Sequence, residues 1–417
     1  MEPPALLLWL LVSRLGARTC GQGVAASRPR SAPFLNNSLF AGALYRHLQA
    51  RTPGHNVLFS PLGAALPLTL LGLLAAPEPR AQLLRGLGWV RVGAPMGDAD
   101  LATYSRPLHA LLAPGCGPQT RTRTRSALFV DQRRFLRPHF VQVAASLFLM
   151  DVVPVSLSGY DAARGQVGAY LSERPYGGLG LSVRMLIRAV SPDWAFHLAN
   201  YAAFAGKWQF LFNSSHTESH PFWLTEESMV MVPTMQRLGD FQIKRDQHLH
   251  SHILRLPFSC GAFAIFILPD SGHFKEAELA VMADPLSMST QSLPRSRYRL
   301  FLPKFSLNGT AQMDQLLPAV GISEIFRHRM GIRGISVQTS PMRLFKVAHG
   351  AGLAIEEDGV QVEDLSYLEN QAGLSFPLIH FNRPFLVMVL EETNTNVLFL
   401  GKLMNPLVGT ASWEQST

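Results

Sequence analysis

The C-terminal part of the chain carries two segments that decide its reading: His380-Phe381-Asn382-Arg383-Pro384-Phe385, and Leu398-Phe399-Leu400-Gly401-Lys402. Phe385 to Leu390 and Val397 to Leu400 are short, dense in β-branched and aromatic residues and separated by turn signals, which predicts two strands. Working back along the chain, Tyr298 to Leu302, Phe263 to Leu268 and Ile253 to Pro257 read the same way. Earlier still the period changes. Phe140 to Leu149, Leu101 to Leu112, Arg80 to Leu87 and Phe34 to Ala50 have helical spacing, the last with Leu35, Leu39, Ala43, Leu44 and Leu48 on one stripe. Ser60-Pro61 reads as a serine cap followed by a first-turn proline, opening an apolar, buried helix. Arg121 onward, through Ala127-Leu128-Phe129-Val130, is a further strand. Helices fill the first half and antiparallel-type strands the second, so the expected class is α+β.

Bulk composition agrees with one large unit. The 417 residues are 47% hydrophobic and 16% charged, with no linker and no repeat of fixed period. The apolar run Ala5 to Val12 ends near Cys20 and has signal-peptide length, although Glu2 and Arg18 are unusual in such a leader. The expected organisation is a signal peptide over residues 1–20, an N-terminal tail over 21–33, one domain over 34–408 and a tail over 409–417. No other segment is long enough to span a bilayer. With the leader removed, Cys116 and Cys260 make no disulfide framework and have no zinc-site spacing. Sequons at Asn36, Asn213 and Asn308 suit the secretory route. The net charge of +8 points to extracellular polyanions rather than nucleic acid.

Several further segments, in order, resemble the motifs of one family, the serpins of the secreted vertebrate type. Asn56-Val57-Leu58-Phe59-Ser60-Pro61 resembles the start of the family's central helix. Asn200 to Trp208 resembles its strand ending in GKW, Val232-Pro233-Thr234-Met235 its VPMM, and Leu302-Pro303-Lys304-Phe305 its LPKF. With the two C-terminal segments, these cover about Phe34 to Pro406. The resemblance implies the serpin fold: helices packed on a large central β-sheet, two smaller sheets, and an exposed reactive loop. It also implies the mechanism. A protease cuts the loop as substrate, and the cut loop inserts as a new strand in the main sheet before the acyl-enzyme hydrolyses. Such a strand must place every second side chain on a buried face.

Glu356-Glu357-Asp358-Gly359 resembles the hinge start. Counting fourteen residues on from Gly359, or eight back from Phe381, gives Gly373, so the expected reactive bond is Gly373-Leu374. The hinge composition departs from the family's small residues. Val360, Val362, Asp364, Ser366 and Leu368 form the inward face at period two. Insertion would bury Asp364, at several kcal/mol unless it takes up a proton. Gly63 replaces the family's usual serine, Gly350 its usual lysine, and Val167 to Leu179 lacks its Asn, Thr and Lys. The expectation is a serpin of weak or lost inhibition with a binding or regulatory role. The alternative is a working inhibitor of an elastase-like serine protease. By the same resemblance Lys304 faces Glu357 as an ion pair, and Asn200, Trp208 and His349 are structural.

Thr120 to Arg125 alternates, so Arg121, Arg123 and Arg125 share one face of a strand. With Arg133, Arg134 and Arg137 they are candidates for a heparin-like glycosaminoglycan; the bland reading is a solvated basic face. His248, His250 and His252 also alternate and suit a metal or pH switch, against the bland reading of half-exposed strand-end residues. No nucleophile elbow, P-loop, dinucleotide fingerprint or zinc-protease motif occurs, and no enzyme is expected. No cofactor or metal is called for. The expected partners are a serine protease and a sulfated polyanion, without nucleic acid or membrane, for a monomer.

Overall fold

The computed structural model describes residues 34–90, 121–156, 159–173, 195–259, 261–287, 292–327, 335–337, 343–357, 376–393 and 395–408. A short strand β1 (Phe34–Leu35) precedes helix α1 (Ser38–Arg51), strand β2 (Val57–Phe59) and helices α2 (Pro61–Leu74) and α3 (Pro77–Gly86). β1 pairs with β3 (Trp89–Val90) as a two-stranded ribbon. The single helix expected from Phe34 therefore begins later, because Phe34 and Leu35 are held in the ladder and Asn36 N–H bonds the Gly88 carbonyl. Helix α2 follows the expected design. Ser60 caps it, its Oγ accepting from Gly63 N–H at 3.0 Å, and every residue from Pro61 to Leu73 is buried.

The main sheet has five strands, in the order β12 (Phe305–Gln312), β13 (Arg343–Ile355), β6 (Ala195–Ala205), β4 (Arg121–Asp131) and β5 (Met150–Val155). Its pairings are mixed: β13 runs parallel to β6 and β4 parallel to β5, whereas β12–β13 and β4–β6 are antiparallel. Period-two patterning does not encode direction; the strands expected over 253–257, 263–268, 385–390 and 397–400 do pair antiparallel in succession, whereas β13 and β6 do not. Alternate residues serve two cores. Phe196, Leu198, Ala202 and Phe204 of β6 join the main core with α2, while Ala199 and Tyr201 face the second cluster. That second cluster is closed by Ala163, Val167 and Leu171 of helix α5 (Tyr160–Ser172), which follows helix α4 (Pro138–Phe148) in sequence.

The second large sheet is a nine-stranded hydrogen-bonded array. Its hub is β8 (Met229–Asp246), an 18-residue strand. Along its length β8 pairs in turn with β7 (Glu218–Trp223), β11 (Arg295–Pro303) and β9 (Ser251–Pro257). From β9 the sheet continues through β10 (Ala262–Pro269), β15 (Phe385–Glu391) and β16 (Val397–Leu403) to β2. β14 (Leu378–His380) runs parallel to β11 at the other edge. Helix α6 (Phe274–Ala283) packs near α1. There Tyr45 Oη–H and Lys402 Nζ both donate to the buried Glu278 carboxylate, at 2.8 and 2.9 Å. The signature residue Arg383 fastens the start of β15: its Nε donates to the Pro269 carbonyl at 2.7 Å and its charge faces Asp270.

Candidate functional site

The junction of β6 and β13 is where an inserting loop would have to enter. The two strands pair directly from Arg343↔Ala195 to Ala354↔Ala205, so the sheet is closed along this seam. At mid-seam His349 and Asn200 are register partners, both buried. The Ser60 amide donates to His349 Nε2 at 3.0 Å, which fixes that nitrogen as the acceptor and leaves the proton on Nδ1. Nδ1–H then donates to Asn200 Oδ1 at 2.7 Å, and Asn200 Nδ2 donates to Ser126 Oγ at 3.0 Å. Ser60 Oγ–H donates to the Leu398 carbonyl at 2.7 Å. One chain of hydrogen bonds thus links β16, α2, β13, β6 and β4. Burial holds the His349 imidazole at about 3, so it is neutral. Gly63 leaves no room for the serine usual in relatives: a Cβ there would stand 2.7 Å from Ala202 Cβ.

At the end of the seam a second set of contacts fastens β13 and the hinge. Trp208 is buried and stacked on Phe258 with ring centroids 4.3 Å apart, and its indole N–H donates to the Glu356 carbonyl at 2.8 Å. Gly206 must be glycine, because a Cβ would meet the Phe204 and Phe258 rings at 2.5 and 2.6 Å. Lys304 Nζ lies 2.6 Å from Glu357 Oε2, so the expected ion pair is present. Thr217 Oγ1–H donates to the other carboxylate oxygen at 2.6 Å. Burial pushes the Glu357 carboxyl up, but the hydrogen bonds from Lys304 and Thr217 and the nearby lysine charge outweigh it and hold it below the ordinary glutamate range.

The structure therefore brings together Lys304 with Glu357, Trp208 with the hinge backbone, and Asn200 with His349. Gly359, Val360, Val362, Asp364, Gly373 and Leu374 lie outside the described residues. Sequence reasoning missed Thr217, Ser126 and the Ser60 amide as members of these networks, since none stands at a telling spacing from its partner. The arginine candidates separate into two groups. Arg121, Arg123 and Arg125 partner Ala205, Ala203 and Tyr201 at one end of β4, whereas Arg133, Arg134 and Arg137 follow its other end, about 30 Å away along the strand. Arg133 is taken up by Asp131 at 2.9 Å. His248 and His250 lie in the turn between β8 and β9, with only His252 on a strand, so the three share no strand face. Among the described residues no group of three His, Cys, Asp or Glu side chains can hold a metal ion. Asn36 is exposed, and Asn213 and Asn308 are partly exposed, the latter on the outward face of the edge strand β12.

Comparison with known proteins agrees with this geometry. The family model described as Serpin (serine protease inhibitor) matches residues 35–406, and the chain belongs to that family. The chain is 30% identical to alpha-1-antiproteinase of Bos taurus over 376 residues, covering 90% of this chain and 88% of that protein. It is 28% identical to corticosteroid-binding globulin of Ovis aries, over 97% and 93% of the two chains. Among solved structures, human thyroxine-binding globulin complexed with thyroxine superposes with a TM-score of 0.72 at 25% identity, covering 89% of this chain and 97% of that one. Uncleaved ovalbumin superposes with a TM-score of 0.75 at 21% identity, which speaks to the fold. Serpins are inhibitors or binding proteins rather than catalysts, and the chain is not an enzyme.

Proposed function

We propose that this chain is a secreted serpin whose loop is cut at Gly373-Leu374 as a substrate, with little insertion, and that it acts by binding rather than by trapping a protease. The observation that carries this is Asp364 on the inward face of the strand that would insert. The core side of the β6–β13 seam supports the reading. Leu198, Ala202 and Phe204 on one strand and Ala351, Leu353 and Ile355 on the other are all buried in the main apolar core. The polar side chains between them, Asn200 and His349, are committed to each other, to Ser126 and to the Ser60 amide. A carboxylate entering among these side chains is desolvated and costs several kcal/mol, or takes up a proton. Strand separation also breaks the 2.7 Å Asn200–His349 bond. Delay at this step favours deacylation.

The second reading, an inhibitor of an elastase-like serine protease, is favoured by the conventional loop length and by the Lys304–Glu357 and Trp208–Glu356 fastenings. Relatives bear names of both kinds, an antiproteinase and a corticosteroid-binding globulin. The leader over 1–20 and the sequons at Asn36, Asn213 and Asn308 support secretion, and Arg121, Arg123 and Arg125 support contact with sulfated polyanions. Incubation with a panel of elastase-like proteases, followed by a denaturing gel, separates the readings. Cleavage after Gly373 without a covalent complex is expected; a stable complex overturns the proposal.

A further inference from the structure

Arg237 sits on the core-facing row of β8. Met235 and Phe241 in the same row and Leu300, its ladder partner on β11, are all buried. Two other arginines turn their Nε–Nη2 edge to a carboxylate: Arg133 to Asp131, at 2.9 Å through both nitrogens, and Arg297 to Asp240, at 3.1 and 3.2 Å. Arg237 meets no carboxylate among the described residues. Its Nη1 donates to the Phe210 carbonyl at 2.6 Å. Its guanidinium carbon lies 4.5 Å from the Phe241 ring centroid and 5.5 Å from those of Phe210 and Phe212. Nε is buried and has no hydrogen-bond partner among the described residues. Burial pulls the guanidinium down to about 10, so it stays charged at neutral pH. Gly239, between Arg237 and Phe241 in the row, leaves room beside this edge. A Cβ there would stand 3.6 Å from Arg237 Nε, 3.7 Å from Phe241 Cζ and 3.8 Å from Arg237 Nη2, with nothing closer. Tyr298 is the ladder partner of Gly239 and shares this face, and Phe210 is half exposed.

We propose that the Nε–Nη2 edge of Arg237 is the binding site for the carboxylate of a small amphipathic acid, whose apolar body lies against Phe210. A guanidinium offers a carboxylate two parallel N–H donors, and this edge is the one that Arg133 and Arg297 use. A buried donor without an acceptor is costly, and aromatic ring faces compensate a desolvated cation only in part, so an acceptor at this place is favoured. The three phenylalanines around the charge suit an apolar body. An inorganic anion would pair with the edge and leave Phe210 uncovered.

This site goes beyond the proposed function and does not depend on the fate of the loop, so a chain that traps a protease would still carry it. The test is isothermal titration of the full-length secreted protein with two matched pairs, naphthoate against naphthalenemethanol and octanoate against octanol. At least one acid is expected to bind about tenfold or more tightly than its alcohol, the usual effect of hydrogen bonds to a charged group. Arg237→Gln should abolish that preference. Gly239→Ala places a methyl group beside the edge, meets no atom closer than 3.6 Å and should weaken the acid more than the alcohol. Arg297→Gln removes a charge from the opposite face of the same ladder and should keep the preference. Melting curves accompany each variant. Arg237→Gln should not melt lower than the wild type, since no carboxylate loses its partner; should it do so, Gly239→Ala carries the test. Failure of both acids to bind the wild type, the result expected if the edge holds only water, overturns the site. So does equal binding of the acids and their alcohols, or a preference that survives either substitution in a folded protein.

Discussion

His349 accepts from an amide on one side and donates to Asn200 on the other, and only the neutral ring can do both. Its folded value of about 3 lies well below the roughly 6.5 of an unfolded histidine. Between these values the unfolded chain binds the additional proton, so stability rises with pH and is lost as the pH falls below about 6.5. From pH 7 to pH 5 the loss attributable to this ring is about 2 kcal/mol. Thermal melts at the two pH values should therefore differ less in His349→Gln than in the wild type. Some difference will remain, because His252 and His380 are also held low, chiefly by burial. Equal pH dependence in the two proteins would mean that the seam does not depend on a neutral His349.

β12 and β13 are joined at the seam's end through the Lys304–Glu357 pair, since Lys304 immediately precedes β12 and Glu357 follows β13. Lys304→Met would leave a mostly buried carboxylate held by Thr217 and the Glu357 backbone N–H but without its cation, at a cost of about 1–3 kcal/mol. Because the pair depresses the glutamate, its contribution is full above the ordinary glutamate value and is lost as pH falls through the lowered one. The melting difference between wild type and variant should be largest near pH 7 and contract below about pH 4. This contact was legible in the sequence, because Lys304 sits in a family motif and Glu357 in the hinge. The parallel pairing of β6 with β13 was not: their partners lie about 150 residues apart, and alternation carries no direction. The full length of β11 was not legible either, because the expected strand began at Tyr298, whereas the ladder begins at Arg295. The histidines of 248–252 fit the bland reading of strand-end residues, His248 and His250 exposed and His252 partly so. Their alternation is real, but a turn with His250 at positive φ takes two of them off the strand.

For the molecule as a whole, inhibition by a serpin requires that the cut-loop state be much more stable than the intact one. The closed seam of β6 and β13, bridged by His349 and fastened by Trp208 and Glu357, is the barrier an inserting strand must open. Val360 and Val362 would gain burial and ladder hydrogen bonds, together several kcal/mol. Asp364 sets a comparable cost against them. The most direct measurement is a pair of melting curves, intact protein and protein nicked within the loop, for the wild type and for a variant with Val362, Glu363, Asp364 and Leu365 all replaced by alanine. The expected result is little or no rise on nicking the wild type and a large rise on nicking the variant. A nicked wild type that melts far above the intact protein would contradict the proposed obstruction at Asp364.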